Sequence, residues 1–215
     1  MTSRVYRWAL LALCLWCGRA AAAPADSSQV ILFFGDSLSA GYGLEQRQAF
    51  PALIQDRLDS LGWNFQVVNA GLSGETSAAG RRRIGWLLKR RVEVLVLELG
   101  ANDGLRGVSP AETERNLQEI LTAVKTRYPQ AALVLAGMQL PPNLGPEYTA
   151  QFQALFPRLA KRNQAALIPF LLEGVGGVPE LNQADGIHPT AEGHRRVAAT
   201  VWKTLEPVLR QRLPR

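Results

Sequence analysis

The sequence predicts an α/β fold in which a parallel β-sheet is covered by helices on both faces. Three observations carry this expectation. Apolar, β-rich runs recur along the chain, segments with helical spacing lie between them, and the runs read as continuous Val, Leu, Ile and Phe rather than alternating with polar residues. Alternating strands and helices build parallel sheets, and strands buried on both faces lose the polar alternation of a half-exposed sheet.

Residues 30–34 form the first expected strand, an unbroken apolar run that stops at Gly35. A helix is expected over about 49–61, then a strand at 65–68 and a helix over about 76–90. Residues 92–99 read as the third strand. Ser109-Pro110 opens the next helix with a capping residue and a first-turn proline, and the segment continues to Arg127 without a glycine after Thr113. Strand 132–137 follows, and Pro129, Pro141, Pro142, Gly145 and Pro146 punctuate the chain around it. The last elements are a helix over about 148–163, a strand at 166–170 and a helix over about 190–213.

With 215 residues, 47% of them hydrophobic, the chain fits one domain with a sizeable core. No repeat, low-complexity tract or linker argues for a second. The first 25 residues are set apart as a signal peptide. Arg4 and Arg7 precede the apolar run 8–17, and small residues fill 20–25, with cleavage expected near Ala22 to Ala25. This run falls short of the roughly 20 apolar residues of a membrane span, and no later segment reaches that length. A periplasmic or secreted protein is therefore expected, with a single domain over 26–215.

Both cysteines, Cys14 and Cys17, lie in the leader, so neither a disulfide nor a thiolate metal site is expected in the mature chain. Large Leu13 and Trp16 stand before them where a lipoprotein signal wants a small residue. Removing a leader that carries Arg4, Arg7 and Arg19 and no acid lowers the formal charge from +6 to +3, which gives nucleic-acid binding little support. The densest basic stretch, Arg81-Arg82-Arg83 with Lys89-Arg90-Arg91, reads as a solvated helix face.

Ligands of open parallel sheets bind outside the carboxyl ends of the strands. Polar segments fall at four such ends: 35–39, 69–76, 100–103 and the loop at Pro141. Ser37 follows a strand at a glycine turn, in a context unlike the G-x-S-x-G elbow. Alone, Gly35-Asp36-Ser37-Leu38 reads equally well as a helix cap. His188, one of two histidines, lies three residues after Asp185, a spacing that lets the carboxylate reach the imidazole within one loop while the other ring nitrogen serves a serine. His194 is expected to have a packing or surface role. Donors for an oxyanion are available in the Ser37 N–H, the Gly74 N–H and the Asn102 carboxamide.

Four blocks, Gly35-Asp36-Ser37-Leu38-Ser39-Ala40-Gly41-Tyr42-Gly43, Asn69-Ala70-Gly71-Leu72-Ser73-Gly74-Glu75-Thr76, Gly100-Ala101-Asn102-Asp103 and Asp185-Gly186-Ile187-His188-Pro189, resemble the ordered blocks of the SGNH (GDSL) hydrolase superfamily. The match is nearest to its bacterial periplasmic branch of multifunctional thioesterases, lysophospholipases and arylesterases. That resemblance implies Ser37 as nucleophile, His188 as base and then acid, Asp185 as its orienter, and Ser37, Gly74 and Asn102 as the oxyanion hole. It also implies a flavodoxin-like three-layer α/β/α fold with a five-stranded sheet in the order 2-1-3-4-5.

An exported hydrolase of acyl esters and thioesters follows, acting through an acyl-enzyme without metal or organic cofactor, on small substrates and lysophospholipids, as a monomer. Segments 138–144 and 105–108 are candidates for an apolar groove that takes the acyl chain. Two other readings compete: a carbohydrate O-acetylesterase on the same scaffold, and a non-catalytic envelope-binding protein.

Overall fold

The computed structural model describes residues 28–213, so the expected leader and its cleavage lie outside the described residues. Five strands, β1 (Gln29–Gly35), β2 (Phe65–Asn69), β3 (Val94–Glu98), β4 (Ala132–Ala136) and β5 (Ala166–Ile168), form one parallel sheet in the order β2-β1-β3-β4-β5. The helices are α1 (Ser37–Ala40), α2 (Phe50–Ser60), α3 (Ser77–Leu87), α4 (Ala101–Leu105), α5 (Pro110–Arg127), α6 (Pro146–Asn163) and α7 (Ala191–Arg210). Helices α2 and α7 pack together on one face, while α3, α5 and α6 pack in series on the other. The three-layer fold and the strand order match expectation.

Alternate residues of β1 divide the core between those faces. Phe33 meets Phe50 of α2 edge to face at 5.6 Å between ring centroids, whereas Phe34 lies beneath the Arg83 guanidinium of α3. Every residue of β3 is buried, as a central strand between two helical layers requires. Side chains close the helix starts: Thr76 accepts from Ala79 N–H, Ser109 from Glu112 N–H and Thr190 from Gly193 N–H.

Boundaries shift for local reasons. The last strand stops at Ile168 because Pro169 has no N–H to continue the ladder. The third begins at Val94, after the exposed Arg91 pairs with Glu93 and the other Glu93 oxygen accepts the Val30 N–H at 2.6 Å. Strand order reverses at β1, which has β2 on one side and β3 on the other. Chains leaving β1 and β3 turn toward opposite faces there and open a crevice at their carboxyl ends. Ser37 follows β1 directly, and Asn102 follows β3.

Candidate active site

Ser37 is the first residue of α1, and its Oγ lies 2.9 Å from His188 Nε2. The other ring nitrogen of His188, Nδ1, lies 2.6 Å from Asp185 Oδ2. Asp185 is itself fixed by its own loop, since its Oδ1 accepts the N–H groups of Ile187 at 2.9 Å and His188 at 3.0 Å. The backbone N–H of His188, its imidazole and the Ile187 N–H together pull the Asp185 carboxyl down to about 2. An ionised Asp185 favours the tautomer with the proton on Nδ1, which leaves Nε2 free to accept from Ser37.

The His188 loop, residues 182–189, is tied back onto the protein at several points. Asn182 bridges Pro189, the Gln183 N–H donates to the His188 carbonyl at 2.7 Å, and Thr190 N–H donates to Leu181 at 2.8 Å. Gln183 also reaches across to the serine side, donating from Nε2 to the Tyr42 carbonyl at 2.7 Å. The Tyr42 ring lies against the His188 ring with centroids 4.5 Å apart. Gln183 and Tyr42 thus couple the two loops whose separation decides the Ser37–His188 distance.

Asn102 bridges the segments that carry Ser37 and Gly74, the other two residues expected to supply oxyanion donors. Its Nδ2 donates to Asp36 Oδ2 at 3.0 Å, beside Ser37, and to the Glu75 carbonyl at 3.2 Å, beside Gly74. The Ser37 N–H opens α1 and is one of the donors that a helix leaves without an intrahelical partner. Gly74 adopts φ +79°, where any side chain would be strained, in the turn that the Glu75 N–H closes onto the Leu72 carbonyl at 3.0 Å. Asp103 secures the same region from below by accepting the Ser77 N–H at 2.7 Å and the Ser77 hydroxyl at 2.5 Å.

Sequence reasoning missed a buried acid beneath the nucleophile. Glu98 ends β3, is paired in register with Gly35, and is fully buried. Its Oε2 accepts the N–H groups of Asp36 and Ser39, each at 3.1 Å, and the Ser39 hydroxyl at 2.7 Å. A carboxylate near the end of the apolar run 92–99, between Leu97 and Leu99, was the signal that could have revealed it.

Gly35 makes the space: a Cβ there would stand 2.2 Å from Glu98 Oε2 and 2.3 Å from Ser39 Oγ. Gly35→Ala is expected to destabilise the protein by about 1–3 kcal/mol, the usual range for an overpacked core. Urea denaturation measures this, and unchanged stability would show that the turn tolerates the methyl group.

Other expectations resolve into packing. His194 is 1% exposed, stacks on Phe50 and accepts the Phe50 N–H on Nδ1 at 3.1 Å, and burial, with His188 adding to it, lowers its pKa to about 4. Met138 is buried in the core rather than lining a groove, and Leu140 lies over Gly104. Leu105 is exposed one residue further along α4. In the basic stretch, Arg81 pairs with Glu119, Arg83 with Glu75 and Arg91 with Glu93. A cavity of about 540 Å³ lies between the end of β2 and α3, away from the Ser37–His188 pair, bordered by Val68, Leu72, Trp86 and Arg90.

A serine, imidazole and carboxylate in hydrogen-bonded sequence at the carboxyl edge of a parallel sheet, without the G-x-S-x-G elbow, define a hydrolase class distinct from the ordinary α/β-hydrolases. The chain belongs to the GDSL-like Lipase/Acylhydrolase family, which it matches over residues 33–196. It is 46% identical over 184 residues to "Esterase TesA" of Pseudomonas aeruginosa, covering 85% of this chain and 90% of that one. To "Thioesterase 1/protease 1/lysophospholipase L1" of Escherichia coli K12 it is 42% identical over 210 residues, 96% of each. Among solved structures, the psychrotrophic esterase EstA from Pseudoalteromonas sp., inhibited by monoethylphosphonate, superposes with a TM-score of 0.80. There the identity is 32%, with 85% of this chain and 100% of that one covered.

Proposed function

We propose that the protein is an exported serine hydrolase that cleaves acyl esters and thioesters through an acyl-enzyme on Ser37. The observation that carries this reading is the unbroken sequence of short contacts from Ser37 Oγ through His188 to Asp185. His188 takes the Ser37 proton as Oγ attacks the acyl carbonyl, and the imidazolium is stabilised by Asp185. The oxyanion is received by the N–H groups of Ser37 and Gly74 and by the Asn102 carboxamide. His188 then returns the proton to the departing alcohol or thiolate. Collapse of the tetrahedral intermediate leaves Ser37 acylated, and water activated by the same imidazole releases the acid.

Substrate range is read from the relatives, whose names include esterase, thioesterase and lysophospholipase. Leu105, exposed on the helix that carries Asn102, and Leu140, which lies over Gly104 of the same helix, support an acyl chain as the recognised group. Export rests on the leader composition of the first 25 residues. Among the described residues no helix is long and apolar enough to cross a membrane. Catalysis as a monomer is part of the same proposal.

Purified protein is expected to hydrolyse p-nitrophenyl esters with rates that depend on acyl-chain length, and to act on acyl-CoA and lysophospholipid in parallel assays. A sharp preference for acetylated sugars, with no gain from longer chains, would replace this reading by that of a carbohydrate O-acetylesterase.

A further inference from the structure

The two carboxyl groups under the nucleophile turn have unequal hydrogen-bond inventories, and the inequality locates a proton. Asp36 is 1% exposed, and both of its oxygens accept: Oδ1 from the Leu38 N–H at 3.0 Å, Oδ2 from Asn102 at 3.0 Å. Glu98 is 0% exposed, and its Oε2 accepts three donors while its Oε1 has no donor among the described residues. An ionised carboxylate is an acceptor on both oxygens, so a buried carboxylate with one bare oxygen would carry a large desolvation cost. A carboxylic acid uses that oxygen as a donor.

Two adjacent buried carboxyls cannot both ionise without strong repulsion, and the chain supplies neither with a bonded cation among the described residues. Burial, reinforced by the charge of Asp36, pushes the Glu98 carboxyl well above the usual range. Burial likewise raises Asp36, to about 6, against the bonds from the Leu38 N–H, Glu98 and Asn102 that favour its charged form. Glu98 is therefore the member of the pair that keeps the proton at neutral pH.

We propose that Glu98 is a positioning residue that works as a neutral acid: Oε2 gathers the turn around Ser37, and the Oε1 hydroxyl donates toward Asp36, which stays a carboxylate and holds the Asn102 carboxamide. The proposal rests on the reading of Asn102 as an oxyanion donor. A carboxamide has two N–H hydrogens. With one held by Asp36, the other, on the longer 3.2 Å bond to Glu75, is the hydrogen that turns to the oxyanion. The carboxylate of Asp36 fixes the plane in which it turns.

The test compares three variants with the full enzyme, all checked for folding by circular dichroism. Glu98→Leu removes the acceptor from three donors and is expected to lower kcat by about 10–100-fold. Glu98→Gln reproduces the polarity of a neutral acid, with its oxygen accepting and its amide donating to Asp36, and is expected to recover most of that loss. Asp36→Asn places a donor against the Asn102 amide and is expected to lower kcat by about 10–100-fold with KM unchanged, and to weaken a trifluoromethyl ketone inhibitor equally.

Infrared spectroscopy of the substrate-free protein at neutral pH should show the C=O band of a protonated, buried carboxyl that Glu98→Gln removes. A Glu98→Gln variant as inactive as Glu98→Leu, a missing band, or an Asp36→Asn effect confined to KM would overturn the proposal. Because the band is read without substrate, its absence defeats the assignment of Glu98 even where esterase activity is intact. An inactive wild-type protein that shows the band would instead defeat the esterase reading.

Discussion

Ser37→Ala is expected to lower kcat for a p-nitrophenyl ester by on the order of 10⁵-fold or more, the scale at which loss of the nucleophile disables a serine hydrolase. Ser39, in the same turn, is not placed to substitute for it. Ser39, two residues on, is fully buried and its Oγ donates to Glu98, so it points into the core and away from His188. The fold should survive the change, because the Ser37 hydroxyl bonds to His188 and to no part of the sheet. Circular dichroism and thermal melting should match the parent, and covalent labelling by an organophosphate should disappear. A folded Ala variant with more than about 1% of the parental kcat would rule out an acyl-enzyme on this residue.

Strands and long helices were legible because they are patterned over many residues. Residues 30–34 and 110–127 fall inside β1 and α5 with little adjustment, since an unbroken apolar run and a capped amphipathic segment each have one economical way to bury themselves. Helices α1 and α4, of four and five residues, are too short to show a period, and local capping by Asp36 and the turn at Gly100 define them instead. The residues of the site were legible as motif blocks, but their meeting was not. Ser37 and His188 lie 151 positions apart, and no periodicity encodes a contact of that range.

Glu98 shows a different limit. Its burial is decided by what Gly35 omits on the neighbouring strand, a relation visible only once β1 and β3 are in register. Met138, expected with its neighbours to line a groove, finishes the core for a related reason: an apolar residue at a strand end can finish the core or line a cleft, and composition does not distinguish them.

Asp185→Asn is expected to lower kcat by about 10⁴-fold, the loss seen when a triad imidazole is left in the wrong tautomer. The substitution preserves size and can preserve the local turn, since the carboxamide oxygen can still accept the N–H groups of Ile187 and His188. The remaining position, now an amide, can only donate toward His188 Nδ1. It therefore favours the ring form with its proton on Nε2, which faces Ser37 as a donor and cannot act as a base.

The dependence on pH separates this from a general weakening. Asp185 has a depressed folded-state pKa of about 2 against the ordinary 3.8, so its stabilising effect is fully present above about 3.8 and is lost only as pH falls through about 2. Throughout the working range of the wild-type enzyme it is thus a carboxylate, and an acid fall in activity above pH 4 does not originate in its protonation. The Asn variant should be defective by a similar factor across neutral and mildly alkaline pH, with KM little changed. Recovery of activity at any pH in that range would show that His188 reaches its working tautomer without Asp185. The loop bonds from Gln183 and the contact with Tyr42 would then be what orients the ring.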